Sequence, residues 1–135
     1  MQHPVDLKYS RHHIWVRIEE GTACVGMTED VQEEIQHFES VELPREGDEL
    51  EIDSTCMSLH TKAHLVDVYA PLSGRIIEVN GGLSANPDTI FISPYGNGWL
   101  FKMEFDEPEE VDILMSADDY TMLVVDKGVS GLLVS

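Results

Sequence analysis

Basic side chains are scarce in this chain: 8 Lys and Arg stand against 26 Asp and Glu, for a formal charge of −18 over 135 residues. So anionic a chain cannot neutralise phosphates, which excludes the electrostatic footprint of a DNA- or RNA-binding protein, and anionic lipid surfaces repel it. Cysteine is scarcer still. Cys24 and Cys56 are too few for a disulfide framework, and Met1 to Tyr9 lacks the basic-then-apolar order of a signal peptide. The expected compartment is a reducing cytoplasm. No apolar run approaches the length needed to span a membrane. What the chain does have is 42% hydrophobic residues spread along its length, enough for one real core despite the acidity. Its charge favours solubility and fast, salt-sensitive docking to proteins with basic patches.

Periodicity predicts a mainly β protein. Ile14, Val16 and Ile18 alternate with polar or amphipathic residues, Glu20-Gly21 supplies a turn, and Ala23 to Val25 returns. Thr28 is placed to cap a short helix with Val31, Ile35 and Phe38 on one face. Short strands are then expected at Val41–Leu43, Leu50–Ile52, Met57–Leu59, Leu65–Tyr69, Ile76–Val79, Ile90–Ile92 and Leu100–Phe105, punctuated by Pro, Gly, Asn and Asp. Such spacing argues for a sandwich or barrel. Toward the carboxyl end, Pro108 opens one helical stretch, and Ser116 a second that carries Tyr120, Leu123 and Val124 and stops at Lys127-Gly128. A single domain over residues 1–128 and an apolar tail over 129–135 are expected.

Several stretches carry a resemblance. They are Lys8-Tyr9, His13 with Trp15-Val16, Val25-Gly26-Met27-Thr28, Val41-Glu42-Leu43-Pro44 with Gly47-Asp48, Asp67, Tyr69-Ala70-Pro71-Leu72-Ser73-Gly74, Glu78-Val79-Asn80, Asn86-Pro87, Ser93-Pro94-Tyr95-Gly96, Gly98-Trp99-Leu100 and Glu107-Pro108. In this order and spacing, from about Lys8 to Val124, the chain resembles the H protein of the glycine cleavage system, a small lipoyl carrier. The resemblance implies a flattened β-sandwich of the lipoyl and biotinyl carrier type (a barrel-sandwich hybrid) with small helices. It also implies covalently bound lipoic acid on a lysine at a hairpin tip, and no catalysis by the carrier itself. The implied partners are enzymes of a glycine-cleavage-like or other lipoate-dependent system that charge and discharge the arm, and the lipoate ligase or transferase that installs it. In glycine cleavage the family's arm takes an aminomethyl group from glycine, delivers it to a folate and is reoxidised.

The hairpin that should hold that lysine departs from the family's Glu-Ser-Val-Lys-Ala. Here the chain reads Leu59-His60-Thr61-Lys62-Ala63-His64-Leu65-Val66-Asp67, and an ungapped alignment sets Ala63 at the lysine position, with Lys62 one place early. Two readings follow. In one, Lys62, one of four lysines, is the lipoyl attachment site at a rebuilt tip, with His60 and His64 flanking it and Asp67 in the family's register. In the other, the arm has been lost and the chain is an unmodified interaction or regulatory protein with Lys62 an ordinary surface residue. Ile14 replaces the glutamate of the family's His-Glu-Trp motif, which helps to hold the loaded arm's amine together with the acid matching Asp67, and an isoleucine cannot accept a hydrogen bond. The arm, if present, then points to a pathway outside glycine cleavage or to a tolerated strand substitution.

Cys56, His60 and His64 recur at intervals of four, with the two imidazoles expected to face each other across the turn. They raise the alternatives of a zinc or copper site and of polar neighbours on an exposed hairpin; lacking an identified fourth ligand, no metal is assigned. His12 and His13 read as hydrogen-bonding residues, and Cys24 as core, which leaves Cys56 as the thiol to watch.

Overall fold

The computed structural model describes residues 3–30, 35, 37–62 and 64–127. Among the described residues there are nine strands: β1 (Lys8–Ser10), β2 (Ile14–Glu19), β3 (Thr22–Met27), β4 (Ser40–Glu42), β5 (Glu49–Leu50), β6 (Thr55–His60), β7 (Leu65–Tyr69), β8 (Gly74–Val79) and β9 (Phe101–Phe105). They form a six-stranded sheet in the order β1-β2-β3-β9-β8-β5 and a three-stranded sheet in the order β4-β6-β7, with every pairing antiparallel. The expected hairpin is present: Glu19 pairs with Thr22, leaving Glu20-Gly21 as its two-residue turn, and Gly21 has a φ of +70°, which glycine adopts without steric cost.

Alternation decides which faces meet. Val16 and Val25 from the large sheet, and Met57, Leu59, Val66 and Val68 from the small one, are all buried and join Ile76, Leu100 and Met103 in one core. This is a flattened β-sandwich with an apolar filling. A second cluster lies on the outer face of the large sheet, where Leu7, Tyr9, Trp15, Cys24, Ala117 and Tyr120 pack together beneath helix α2, defined below.

Two elements differ from expectation. Ile90–Ile92 is not a strand but belongs to the short helix α1 (Thr89–Ile92). In a strand Ile90 and Ile92 would share a face; here Ile90 is 1% exposed and Ile92 80%, and the amides of Ile92 and Ser93 bond back to the carbonyls of Asp88 and Thr89. Pro108 opens a 3-10 turn over Pro108–Ile113 in place of an α-helix. Helix α2 (Ala117–Lys127) runs to the last described residue, so the stop expected at Lys127-Gly128 lies at the limit of the described residues. Of the helix expected after Thr28, residues 31–34 and 36 lie outside the described residues, as does the tail over 129–135, while Ile35 and Phe38 are buried but belong to no helix.

Close packing fixes one glycine. A Cβ on Gly26 would lie 2.4 Å from the Trp15 ring, and that indole is held in place by its own bond to the Pro94 carbonyl at 2.9 Å. Gly26→Ala is therefore expected to destabilise the fold by about 1–3 kcal/mol, the usual cost of overpacking a fixed core. Gly81→Ala, with nothing within 4 Å of its new methyl, should stay within about 0.5 kcal/mol of the parent. Urea midpoints of the two variants check this, and equal midpoints would contradict it.

Candidate functional site

The small sheet is organised around β6, which pairs with β4 on one side and β7 on the other. Inward-facing Met57, Leu59, Val66 and Val68 anchor the β6–β7 hairpin to the core, while Ser58, His60, Leu65, Asp67 and Tyr69 line its outer face. The register is set by Ser58↔Asp67, Leu59↔Val66 and His60↔Leu65. Beyond the last pair, the Thr61 amide donates to the His64 carbonyl at 2.9 Å. Four residues, Thr61 to His64, connect the two strands, and the Thr61–His64 contact leaves Lys62 and Ala63 between its partners in the sequence.

Lys62 is exposed, and no ion pair with another described residue holds its ammonium. Its backbone has no positive φ; among the described residues other than glycine only His13 and Asp53 do. The placement of Ala63, the other candidate for the tip, lies outside the described residues. Asp67 pairs with Ser58 across the ladder and receives a bond from the Ser58 hydroxyl at 3.3 Å.

The histidines do not pair as expected. His60 stands opposite Leu65 and His64 opposite Thr61, so the two belong to successive rungs and project to different sides. His60 Nε2 is instead bonded to Glu42 Oε2, tying β6 to β4 at the surface. His64 is exposed beside the tip. Cys56 is the extra residue of a β-bulge between Thr55 and Met57, its Sγ 3.4 Å from the Val68 carbonyl. Burial pushes that thiol up to about 12, so Cys56 is a packing residue rather than a reactive one. Among the described residues, no three His, Cys, Asp or Glu side chains are arranged to hold a metal ion.

Ile14 is wholly buried in the main core, opposite Met27. It extends the apolar face of β2, and a carboxylate there would lose its water with no partner to replace it. Its neighbour His13 is 4% exposed and has φ +66°, and its Nδ1 lies 2.7 Å from Tyr120 Oη, which is itself 2.8 Å from Thr28 Oγ1. His12 is half-buried, lies tilted against the Tyr69 ring at 4.6 Å between centroids and approaches Asp53 at 3.5 Å. Both histidines are hydrogen-bonding residues, as the sequence suggests. A buried pair that sequence reasoning did not find lies alongside: His3 Nε2 is 2.7 Å from Asp30 Oδ2, and its Nδ1 is 2.6 Å from Thr121 Oγ1. Since Thr121 donates its own proton to the Ala117 carbonyl, both ring nitrogens of His3 face acceptors.

The architecture is a flattened β-sandwich with an exposed lysine in the short connection between β6 and β7. The comparisons with known proteins agree. Residues 7–127 match the family model described as glycine cleavage H-protein. A glycine cleavage system H protein of Halorhodospira halophila is 38% identical over 128 residues, covering 94% of this chain and 98% of that protein. One from Xylella fastidiosa is 41% identical over 122 residues, covering 90% and 93% respectively. The crystal structure of a glycine cleavage system H protein from Mycobacterium marinum superposes with a TM-score of 0.78 at 29% identity, covering 89% of this chain and 97% of that one. The chain belongs to the glycine cleavage H-protein family, whose members are lipoyl carriers and not themselves enzymes.

The buried histidine makes stability depend on pH. Desolvation is the main cause that drives His13 down to about 4 from 6.5. Between those values the unfolded chain binds a proton that the folded chain refuses, so the His13 contribution is complete above pH 6.5 and is lost as pH falls toward 4. His13→Asn, which tolerates the left-handed backbone, should therefore lose less stability than the parent between pH 7 and pH 4, by at most about 3 kcal/mol. Parallel pH–stability curves would contradict this.

Proposed function

We propose that this chain is the lipoyl carrier of a glycine-cleavage-type system and that Lys62 is its attachment residue. The observation that carries the reading is the short tip between β6 and β7, which holds a single lysine with its side chain in solvent and in no ion pair with another described residue. Covalent lipoic acid fits this site, because an amide bond to Nζ needs an amine that a modifying enzyme can surround. When attached, the group supplies a ring disulfide that takes up and hands on a covalently bound substrate fragment.

The chain's own residues have simpler tasks. Met57, Leu59, Val66 and Val68 hold the hairpin rigid against the core, and Glu42 with His60 braces its outer edge. The formal charge of −18 speeds encounter with basic docking faces on the enzymes that install, charge and discharge the arm. Asp67 and His64 stand near the tip as candidate contacts for the arm. Ile14, inside the core, has no part in holding cargo.

The rival reading, an interaction protein without an arm, rests on the one-residue offset between Lys62 and the family's lysine position. In vitro lipoylation with a ligase that modifies ordinary H proteins separates the two. The parent should be modified, Lys62→Arg should not, and the double exchange Lys62→Ala with Ala63→Lys should be modified no faster than the parent. An unmodified parent together with a modified double exchange would establish that the natural chain has lost its site.

A further inference from the structure

The way the tip is closed points to a residue that governs how Lys62 is presented, on the reading that Lys62 is the attachment lysine. In a regular two-residue hairpin the last two residues exchange both main-chain bonds. Here Thr61 N–H donates to the His64 carbonyl at 2.9 Å, but the His64 N–H lies 2.9 Å from the Thr61 hydroxyl oxygen. That hydroxyl in turn donates to the His64 carbonyl at 3.1 Å. One side chain thus bonds both polar groups of the facing main chain.

Lys62 has no positive φ, and where the second main-chain bond of a regular closing pair would lie, the Thr61 hydroxyl oxygen accepts from the His64 amide instead. No ion pair with a described residue orients the lysine itself. The direction of its Cα–Cβ bond therefore follows the backbone of the tip.

We propose that Thr61 is a positioning residue for lipoylation: its hydroxyl supplies the closing rung that holds Lys62 in the geometry the modifying enzyme binds. An enzyme that recognises one tip conformation sees its apparent dissociation constant rise in proportion as that conformation becomes less populated. Loss of the rung should accordingly appear in KM and spare kcat.

The test uses the full chain with a lipoate ligase, lipoate and ATP. In the overall reaction the lipoate carboxyl carbon is joined to Lys62 Nζ, ATP is cleaved to AMP and pyrophosphate, and the amine gives up a proton. Thr61→Val keeps the β-branched shape and removes the hydroxyl, whereas Thr61→Ser keeps the hydroxyl. The Val variant should show a KM for the carrier raised about five- to tenfold, as expected for one lost hydrogen bond, with kcat little changed, and the Ser variant should match the parent. An unchanged KM in the Val variant, a fall confined to kcat, or a Ser variant as impaired as Val would overturn the proposal. The exchange rate of the His64 amide with water, read by NMR on unmodified protein, is a second measure. It should rise about five- to tenfold in the Val variant and not in the Ser variant, and equal rates would overturn the clamp by themselves. A parent left bare at Lys62 would count against Lys62 as the attachment site, and the amide exchange would then decide the clamp alone.

Discussion

A strand pair buried on one face has no freedom to slip, and the hairpin of β6 and β7 is held in that way. Moving β7 by one residue against β6 would carry Val66 and Val68 out of the core and bring Asp67 into it, at the cost of two buried aliphatic side chains and one desolvated carboxylate. Burying the two valines alone is worth on the order of 3–5 kcal/mol. The register therefore determines how many residues can lie between the strands, and that number determines what the tip can present. Lys62 is exposed because of what lies along the ladder beneath it.

The rest of the molecule keeps that ladder rigid. β4 adds a third strand, the large sheet covers the inner face, and the paired rings of Phe38 and Phe91, 4.8 Å apart, join the same core. On the far side of the large sheet, Tyr9 and Tyr120 stack at 4.9 Å, and His3 bridges Asp30 to Thr121 on α2. These contacts draw the described ends of the chain onto the sandwich. In a carrier whose arm must visit several enzymes, such a body confines motion to the attached side chain, which lowers the entropy lost at each docking event.

Much of this was legible in the sequence because it is written in alternation. The β2–β3 turn, the inward faces of β6 and β7 and the presence of α2 follow from period and punctuation. The segment around Ile90 was misread because three apolar residues in a row carry no period, and only the opposite exposures of Ile90 and Ile92 decide it. The hairpin tip was legible only as a pair of alternatives, since turn residues are not bound by the strand alternation. Counting intervals of four grouped Cys56, His60 and His64, but a bulge at Cys56 and the turn itself break that count. Thr61 did leave a signal: a hydroxyl residue at the edge of a turn commonly bonds the main chain across it. The His3–Asp30 pair left none, because its partners are brought together only by the tertiary fold.

The central claim is that a fixed ladder makes Lys62 the amine this protein offers for modification. Peptide mapping by mass spectrometry on protein purified from its native host tests it most directly. The account predicts a lipoyl adduct on Lys62 and on no other lysine. Lys62 found bare throughout, in a host whose other lipoyl proteins are fully modified, would contradict it.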